Sequence, residues 1–354
     1  MSFSDSPPVP ARRVALALGS GGARGYAHIG AIQVIQESGF NIVNVAGSSM
    51  GALVGGLYVA GRLDDYGAWV RGLTQFDVLR LLDVSLSAPG AFRAEKILAR
   101  VRDLVGGVCI EDLPIPFTAV ATDLLARKAV WFQHGPLAVA IRASIAMPGV
   151  FTPVRLHGRL LVDGGVMEPV PIAPTASAHA DATIAVDLGG ERRGGEVAAP
   201  VREEAEERRI DEWIDWVRHG TSRLLDREAL RSVVNRLPGM QGSEAVGDRA
   251  PRGDEFEALP AGLGMFDVMN QSLEAMQSVL TRYRLAGNPP DVLVTVPKDA
   301  CRSLDFHRAS EMIELGRALT LEALGRSGLT SGCVQEDSPG PAPTTAPDGR
   351  RANP

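Results

Sequence analysis

The chain has 354 residues, of which 45% are hydrophobic and only 5% aromatic, with 39 glycines and a formal net charge of −6. This length and apolar content can bury a large core, in one α/β domain or in two smaller ones. The acidic balance argues against nucleic acid as the main partner. No apolar stretch reaches the ~20 residues that a membrane-spanning helix needs. The apolar run after Arg12 and Arg13 is too short for a signal peptide, so we expect a cytoplasmic protein.

The two ends of the chain differ in composition from its middle. Residues 1–11 are polar and rich in proline, as are residues 331–354, which predicts two disordered tails. The remaining segment, 12–330, is predicted to form one domain. The chain has three cysteines, Cys109, Cys301 and Cys333, of which the last lies in the C-terminal tail. Their odd number and wide spacing are typical of reduced thiols and not of a metal site.

Apolar runs alternate with helical patterns along most of this domain. The first elements are predicted as a strand at 13–18, a helix at 25–38 closed by Gly39, a strand at 41–46 and a helix at 50–61. Further strands are predicted at 116–121, 128–132, 159–162, 182–187 and 291–296. The alternation favours an α/β fold, a three-layer α/β/α sandwich with a mostly parallel central sheet.

One charged segment, 190–262, interrupts this alternation and is predicted to be a helical insertion. It carries an apolar stripe at helical spacing, formed by Ile210, Trp213, Ile214, Val217, Leu224 and Leu225. A second stripe follows, formed by Phe266, Met269, Leu273, Met276, Leu280 and Tyr283. Two interpretations stay open: the insertion lies on a membrane surface with Trp213 and Trp216 at the interface, or the two stripes pack on each other.

A G-x-S-x-G pattern spans Gly47 to Gly51, between the predicted strand at 41–46 and the helix that follows. A sharp turn in this setting lifts the hydroxyl of Ser49 above the sheet edge, and glycines on both sides avoid clashes. A serine held at a helix N-terminus is placed to attack an acyl carbonyl.

A glycine-rich loop at 19–25 follows the first strand. Its register fits neither G-x-G-x-x-G nor a phosphate-binding G-x-x-x-x-G-K-[ST] loop. Backbone N–H groups in such a turn can instead form an oxyanion hole. Because the two strands are consecutive, we expect this loop to lie beside Ser49 at the same sheet edge.

A nucleophilic serine needs a base. No histidine has a setting that singles it out, among His28, His134, His157, His179, His219 and His307. Asp163 ends a predicted strand and precedes Gly164 and Gly165. An Asp-Gly turn explains this pattern by itself, but a partly buried carboxylate hydrogen-bonded to a serine can also act as its general base.

Together these motifs resemble the patatin-like phospholipase family, and most closely the bacterial relatives of neuropathy target esterase. The family's oxyanion loop, serine elbow and D-G-[GA] turn match, in order, Ser20 to Gly25, Gly47 to Gly51 and Asp163 to Gly165. Residues 143–153 resemble the block that precedes the family's aspartate. The similarity covers about 12–190 and more weakly 263–325, and it departs from the family at Ser20, where a glycine is usual.

The resemblance implies a Ser–Asp dyad without histidine, with Ser49 as nucleophile and Asp163 as base. It implies N–H donors at Gly21, Gly22 and Ala23. Arg24 adds charge to the oxyanion hole, braces the loop or forms a structural salt bridge.

The implied reaction is hydrolysis of a carboxylic ester of a phospholipid or lysophospholipid, with no metal or cofactor, no nucleic acid and at most a transient peripheral membrane contact. Two alternatives remain. An acyltransferase, thioesterase or soluble esterase would use the same dyad, and a regulatory protein would carry a degenerate site.

Overall fold

The computed structural model describes residues 11–81, 95–191 and 265–329. The strands in these ranges are β1 (Arg13–Leu18), β2 (Asn41–Ser48), β3 (Phe117–Asp123), β4 (Lys128–Phe132), β5 (Val154–Leu156), β6 (Arg159–Asp163), β7 (Ala182–Gly190) and β8 (Val292–Pro297). The α-helices are α1 (Ala27–Glu37), α2 (Met50–Val59), α3 (Leu63–Arg71), α4 (Gln75–Leu81), α5 (Glu95–Val105), α6 (Leu137–Ser144), α7 (Met265–Gly287) and α8 (Ala309–Ser327). Nearly all of the two predicted tails and of the 190–262 insertion, including its apolar stripe, lies outside the described residues.

All strands form one sheet in the order β5-β6-β3-β2-β1-β7-β8, with β4 paired to β3. Every neighbouring pair in the series β3-β2-β1-β7-β8 is parallel, whereas the pairs β3–β4, β3–β6 and β5–β6 at one end of the sheet are antiparallel. The mostly parallel sheet predicted from the alternation is therefore confirmed. The predicted strands match closely, and the three-residue β5 was not foreseen.

The two faces of the sheet are covered unequally. Val14, Leu16 and Leu18 of β1 point into the main core, which α1, α2 and α8 help to close. Ala17 and Ala185 face the other way, where residues 170–172 and α7 cover them. Small side chains on that second face allow a close cover by irregular backbone.

The helix predicted at 25–38 begins one turn earlier, as a 3₁₀ turn over Gly22–Tyr26 that continues into α1. α1 then packs along α8, where a Cβ at Gly30 would lie 2.0 Å from the carbonyl oxygen of Ile313. This packing fixes the N-terminal end of α1, and with it the glycine-rich loop, against the body of the protein. Among the described helices, none is both long enough and apolar enough to cross a membrane.

Candidate active site

The chain turns sharply between β2 and α2, and Ser49 lies at the apex with φ 55° and ψ −122°. A side chain in this left-handed region is strained, and such strain persists only where the surroundings enforce it. A Cβ at Gly47 would lie 2.3 Å from the carbonyl oxygen of Gly51, and one at Gly51 would lie 2.1 Å from that of Leu18. The spacing G-x-S-x-G therefore has a steric cause in this fold.

β2 and β6 meet end to end along one edge of β3. The opposite edge is taken by β4, which pairs with Ala119–Asp123. On the shared edge, Ser48 of β2 pairs with Val120, and Asp163 of β6 pairs with Ala121. Two consecutive residues of β3 thus bring together the ends of the strands that carry the serine and the aspartate.

Asp163 contacts Ser49 and closes its own turn at the same time. The Ser49 hydroxyl donates to Oδ2 of Asp163 at 2.5 Å, while Oδ1 accepts from the N–H of Gly165 at 2.7 Å. Both side chains are only 3% exposed. The two explanations of the Asp-Gly-Gly pattern are therefore compatible, because one carboxylate oxygen caps the turn and the other faces the serine.

Burial sets the protonation of this carboxyl group. Loss of solvent raises the pKa of Asp163 from 3.8 to about 6, against the opposing effects of the Ser49 and Gly165 hydrogen bonds, which favour the ionised form. At neutral pH the group is ionised and more basic than an ordinary aspartate. A carboxylate of this kind can accept the proton of a hydroxyl that attacks an ester.

The glycine-rich loop borders the same cleft. Ser20, Gly21 and Gly22 line it together with Ser49 and Asp163. The Gly21 and Gly22 N–H groups make no hydrogen bond to another described residue, so both are free to bind an oxyanion. Gly22 has φ +57°, and a Cβ there would lie 2.4 Å from the carbonyl oxygen of Ser303.

Ala23, the third proposed donor, is placed differently from these two. Its N–H donates to the carbonyl oxygen of Ser303 at 2.9 Å, and the residue is fully buried. This hydrogen bond anchors the loop and occupies the donor. Of the three proposed donors, those of Gly21 and Gly22 therefore remain available.

Arg24 braces the loop with its guanidinium group. Nε donates to the carbonyl oxygen of Gly21 at 3.2 Å, and Nη1 donates to that of Lys298 at 2.6 Å. Nη2 lies 3.9 Å from Glu274 on α7, and the arginine side chain is 8% exposed. Bracing and a salt bridge thus occur together, and the charge still lies at the cleft.

The remaining glycines of the motifs permit close packing. A Cβ at Gly165 would lie 2.4 Å from Oγ of Ser20, and one at Gly164 would lie 2.1 Å from the carbonyl oxygen of Val120. A Cβ at Gly25 would lie 2.3 Å from the Cβ of the first residue of α2. The loop, the elbow and the aspartate turn therefore meet with almost no side chain between them.

No histidine of the described ranges hydrogen-bonds to Ser49 or Asp163. His28, which is fully buried, contacts the carbonyl oxygen of Gly19 at 2.8 Å, and burial lowers its pKa to about 4. It therefore supports the loop as a neutral ring. His219 lies outside the described residues. Those ranges also contain no group of three metal-ligating side chains.

α7 covers one side of the cleft, a feature that the sequence did not indicate. Its contribution to the lining consists of Asn270, Leu273, Glu274 and Gln277. The apolar stripe predicted a helix there, but these residues mix polar and apolar side chains, so periodicity gave no signal that this face borders a site. The opposite face of α7 is exposed and includes Met269, Met276 and Tyr283 of the predicted stripe.

Comparisons with known proteins show which family the chain belongs to. Residues 16–176 match the family model described as patatin-like phospholipase. An uncharacterized NTE family protein of Mycobacterium tuberculosis is 52% identical over 88% of this chain and 91% of its own length.

More distant relatives match a smaller part of the chain. The neuropathy target esterase sws of Drosophila melanogaster is 34% identical over 50% of this chain and 13% of its own length. The structure of VipD from Legionella pneumophila aligns with 90% of this chain and 67% of that chain, at 15% identity and a TM-score of 0.46. On the 52% identity over nearly the whole of its relative, with the patatin-like phospholipase match within it, the chain belongs to the NTE family of patatin-like phospholipases, a family of lipid ester hydrolases.

Proposed function

We propose that this protein is a serine lipid acyl hydrolase that cleaves carboxylic esters of phospholipids or lysophospholipids through a Ser49–Asp163 dyad. The observation that carries the proposal is the 2.5 Å hydrogen bond from the Ser49 hydroxyl to Asp163, beside the free N–H groups of Gly21 and Gly22. A nucleophile, a base and oxyanion donors are the groups that acyl transfer requires.

In the first half-reaction, Asp163 accepts the hydroxyl proton while Oγ of Ser49 attacks the ester carbonyl. The Gly21 and Gly22 N–H groups stabilise the negative charge that develops on the carbonyl oxygen. The C–O bond to the alcohol then breaks, and the leaving oxygen takes the proton from Asp163. The acyl group is left as an ester on Ser49.

In the second half-reaction, Asp163 accepts a proton from water, and the hydroxide attacks the acyl-enzyme. The tetrahedral intermediate that forms then collapses, which releases the fatty acid and returns the proton from Asp163 to Oγ of Ser49. Asp163 is suited to both proton transfers because its pKa of about 6 keeps it ionised at neutral pH yet basic enough to accept a proton.

The test is release of fatty acid, followed by mass spectrometry, from lysophospholipid micelles, phospholipid vesicles and a short-chain soluble ester. We expect the wild type to hydrolyse at least one of the lipids and Ser49→Ala to be inactive on all three substrates. Acyl transfer to an added alcohol in preference to water would support the acyltransferase alternative. A wild type that cleaves no ester would support a regulatory protein with a degenerate site.

We further propose that α7 makes a transient peripheral contact with a lipid surface. Its outward face is apolar, formed by Val268, Met269, Met276, Val279 and Tyr283, each at least 50% exposed. None of the exposed side chains from Val268 to Gly287 is acidic, so this face lacks the charge that anionic headgroups repel. Because the inward face of the same helix lines the cleft, such a contact would hold the cleft entrance at the lipid.

A further inference from the structure

A short segment at the end of α6, Ser144–Ala146, contacts the backbone of both dyad residues. The Ser49 N–H donates to Oγ of Ser144 at 2.9 Å, and the N–H of Asp163 donates to the carbonyl oxygen of Ala146 at 2.9 Å. Ser144 is itself fully buried. The dyad residues, 114 positions apart in the chain, are thus held by groups only two residues apart.

The Ser144 hydroxyl also donates to the carbonyl oxygen of Val120 at 2.5 Å. Val120 is the β3 residue that pairs with the end of β2, just before the register passes to β6. At this point the chain leaves the sheet for the elbow, and the Ser49 N–H can no longer join the β ladder. The hydroxyl therefore bridges a donor and an acceptor that the end of the strand would otherwise leave unpaired.

A buried N–H without an acceptor is costly, and here it would belong to the strained nucleophile. The φ of 55° at Ser49 is maintained only if the contacts around it outweigh the strain. Without the Ser144 hydroxyl, the peptide at Ser49 is expected to rotate toward another partner, which moves Oγ away from Asp163.

We propose that Ser144 is a positioning residue, whose hydroxyl fixes the Ser49 elbow in the conformation that directs Oγ at Asp163. This inference rests on the proposed function of the Ser49–Asp163 pair. Ser144 lies too deep to touch substrate, and it acts through the backbone of the nucleophile. Ala146 fixes the backbone of Asp163 in the same way, through its carbonyl oxygen, which a side-chain substitution cannot remove.

The experiment compares Ser144→Ala, Ser144→Thr and wild type by kcat and KM on a soluble ester, by the rate of fluorophosphonate labelling, and by Tm. A misplacement of about 1 Å can cost roughly a hundredfold in rate. We expect Ser144→Ala to lose about that much in kcat and in labelling rate, with KM within about twofold of wild type, because ground-state binding is untouched. Ser144→Thr, which keeps the hydroxyl, should recover much of the loss.

The matched control is Thr320→Val on α8. Thr320 is also fully buried and donates a hydroxyl hydrogen bond to a backbone carbonyl, that of Gly316, at 2.7 Å. This variant should lower Tm and leave kcat unchanged. If Ser144→Ala does not fold, Ser144→Val against Ser144→Thr makes the same comparison at constant side-chain volume.

Equal kcat with and without a hydroxyl at position 144 would overturn the proposal, as would an equal fall in kcat for Thr320→Val. This failure differs from failure of the proposed function. In the first case Ser144→Ala is active while Ser49→Ala is inactive, and in the second Ser49→Ala keeps its activity.

Discussion

Replacing Asp163 by asparagine should abolish activity and stabilise the protein, increasingly so as the pH rises. The pKa of Asp163 is raised from 3.8 to about 6 mainly by burial. Because the pKa is higher in the folded protein than in the unfolded chain, the protonated carboxyl group contributes fully to the free energy of unfolding below pH 3.8. This contribution is lost as the pH rises through about 6. Asparagine has the shape of the protonated acid but does not ionise, so the variant keeps that stability.

The magnitude follows from the two pKa values. Ionisation of this group costs the folded protein roughly 1–2 kcal/mol by pH 5 and about 3 kcal/mol by pH 8. The advantage of Asp163→Asn should therefore grow by roughly 1–2 kcal/mol between these pH values. At roughly 2–4 °C per kcal/mol for a domain of this size, the difference in Tm should widen by several °C.

The assay is thermal unfolding of wild type, Asp163→Asn and Ser49→Ala at one scan rate from pH 5 to pH 8. The difference between variant and wild type removes the titration of all other groups. Ser49→Ala is the matched control, because it is also inactive but keeps the carboxylate. Its stability should fall toward pH 8 at least as steeply as that of the wild type, since loss of the Ser49 hydrogen bond raises the pKa of Asp163 further. A Tm difference for Asp163→Asn that is flat or narrows toward pH 8 would mean that burial does not raise the pKa of Asp163.

Three further predictions concern the rate. The value of kcat/KM on a soluble ester should fall about tenfold per pH unit below about pH 6, because only ionised Asp163 accepts the serine proton. A value of kcat/KM that stays level down to about pH 4.5 would exclude Asp163 as the base. Gly22→Val should lower kcat at least a hundredfold, because Gly22 has φ +57° and a Cβ there would meet the Ser303 carbonyl. The control is Gly61→Ala, which should leave kcat unchanged because a Cβ at Gly61 meets nothing within 4 Å. Met276→Glu on α7 should reduce hydrolysis of anionic vesicles but not of a soluble ester, while Leu321→Glu, at an equally exposed apolar position on α8, should change neither. Equal effects of the two variants would mean that α7 has no role in lipid contact and that its apolar face binds another partner.

The sequence was sufficient to predict most of the strands, the mostly parallel character of the sheet and the motifs at its edge. Each strand near the site is a short apolar run that ends in Ser or Asp or is followed directly by Gly, so local pattern and buried position agree. The serine elbow was predictable because a Cβ at Gly47 or Gly51 would collide with backbone, so the turn requires the two glycines that make the pattern visible in the sequence.

The meeting of β2 and β6 on one edge of β3 was not predictable, because it depends on the register of two strand pairs whose partners lie 72 positions apart (Ser48 and Val120) and 42 positions apart (Ala121 and Asp163). For the same reason, neither the bridging hydroxyl of Ser144 nor the occupied N–H of Ala23 had a sequence signal. A serine at a helix end looks like any other, and the partner of Ala23 is a backbone carbonyl 280 positions away, at Ser303.

If Ser49 is the nucleophile and Asp163 its base, covalent labelling of the serine depends on both residues. Wild type, Ser49→Ala and Asp163→Asn are incubated with a fluorophosphonate, and the adduct is quantified by intact mass and located by peptide sequencing. We predict one adduct on wild type, located at Ser49, none on Ser49→Ala, and labelling of Asp163→Asn slowed by several orders of magnitude. An adduct on another residue, or labelling of Ser49→Ala at the wild-type rate, would show that Ser49 is not the nucleophile.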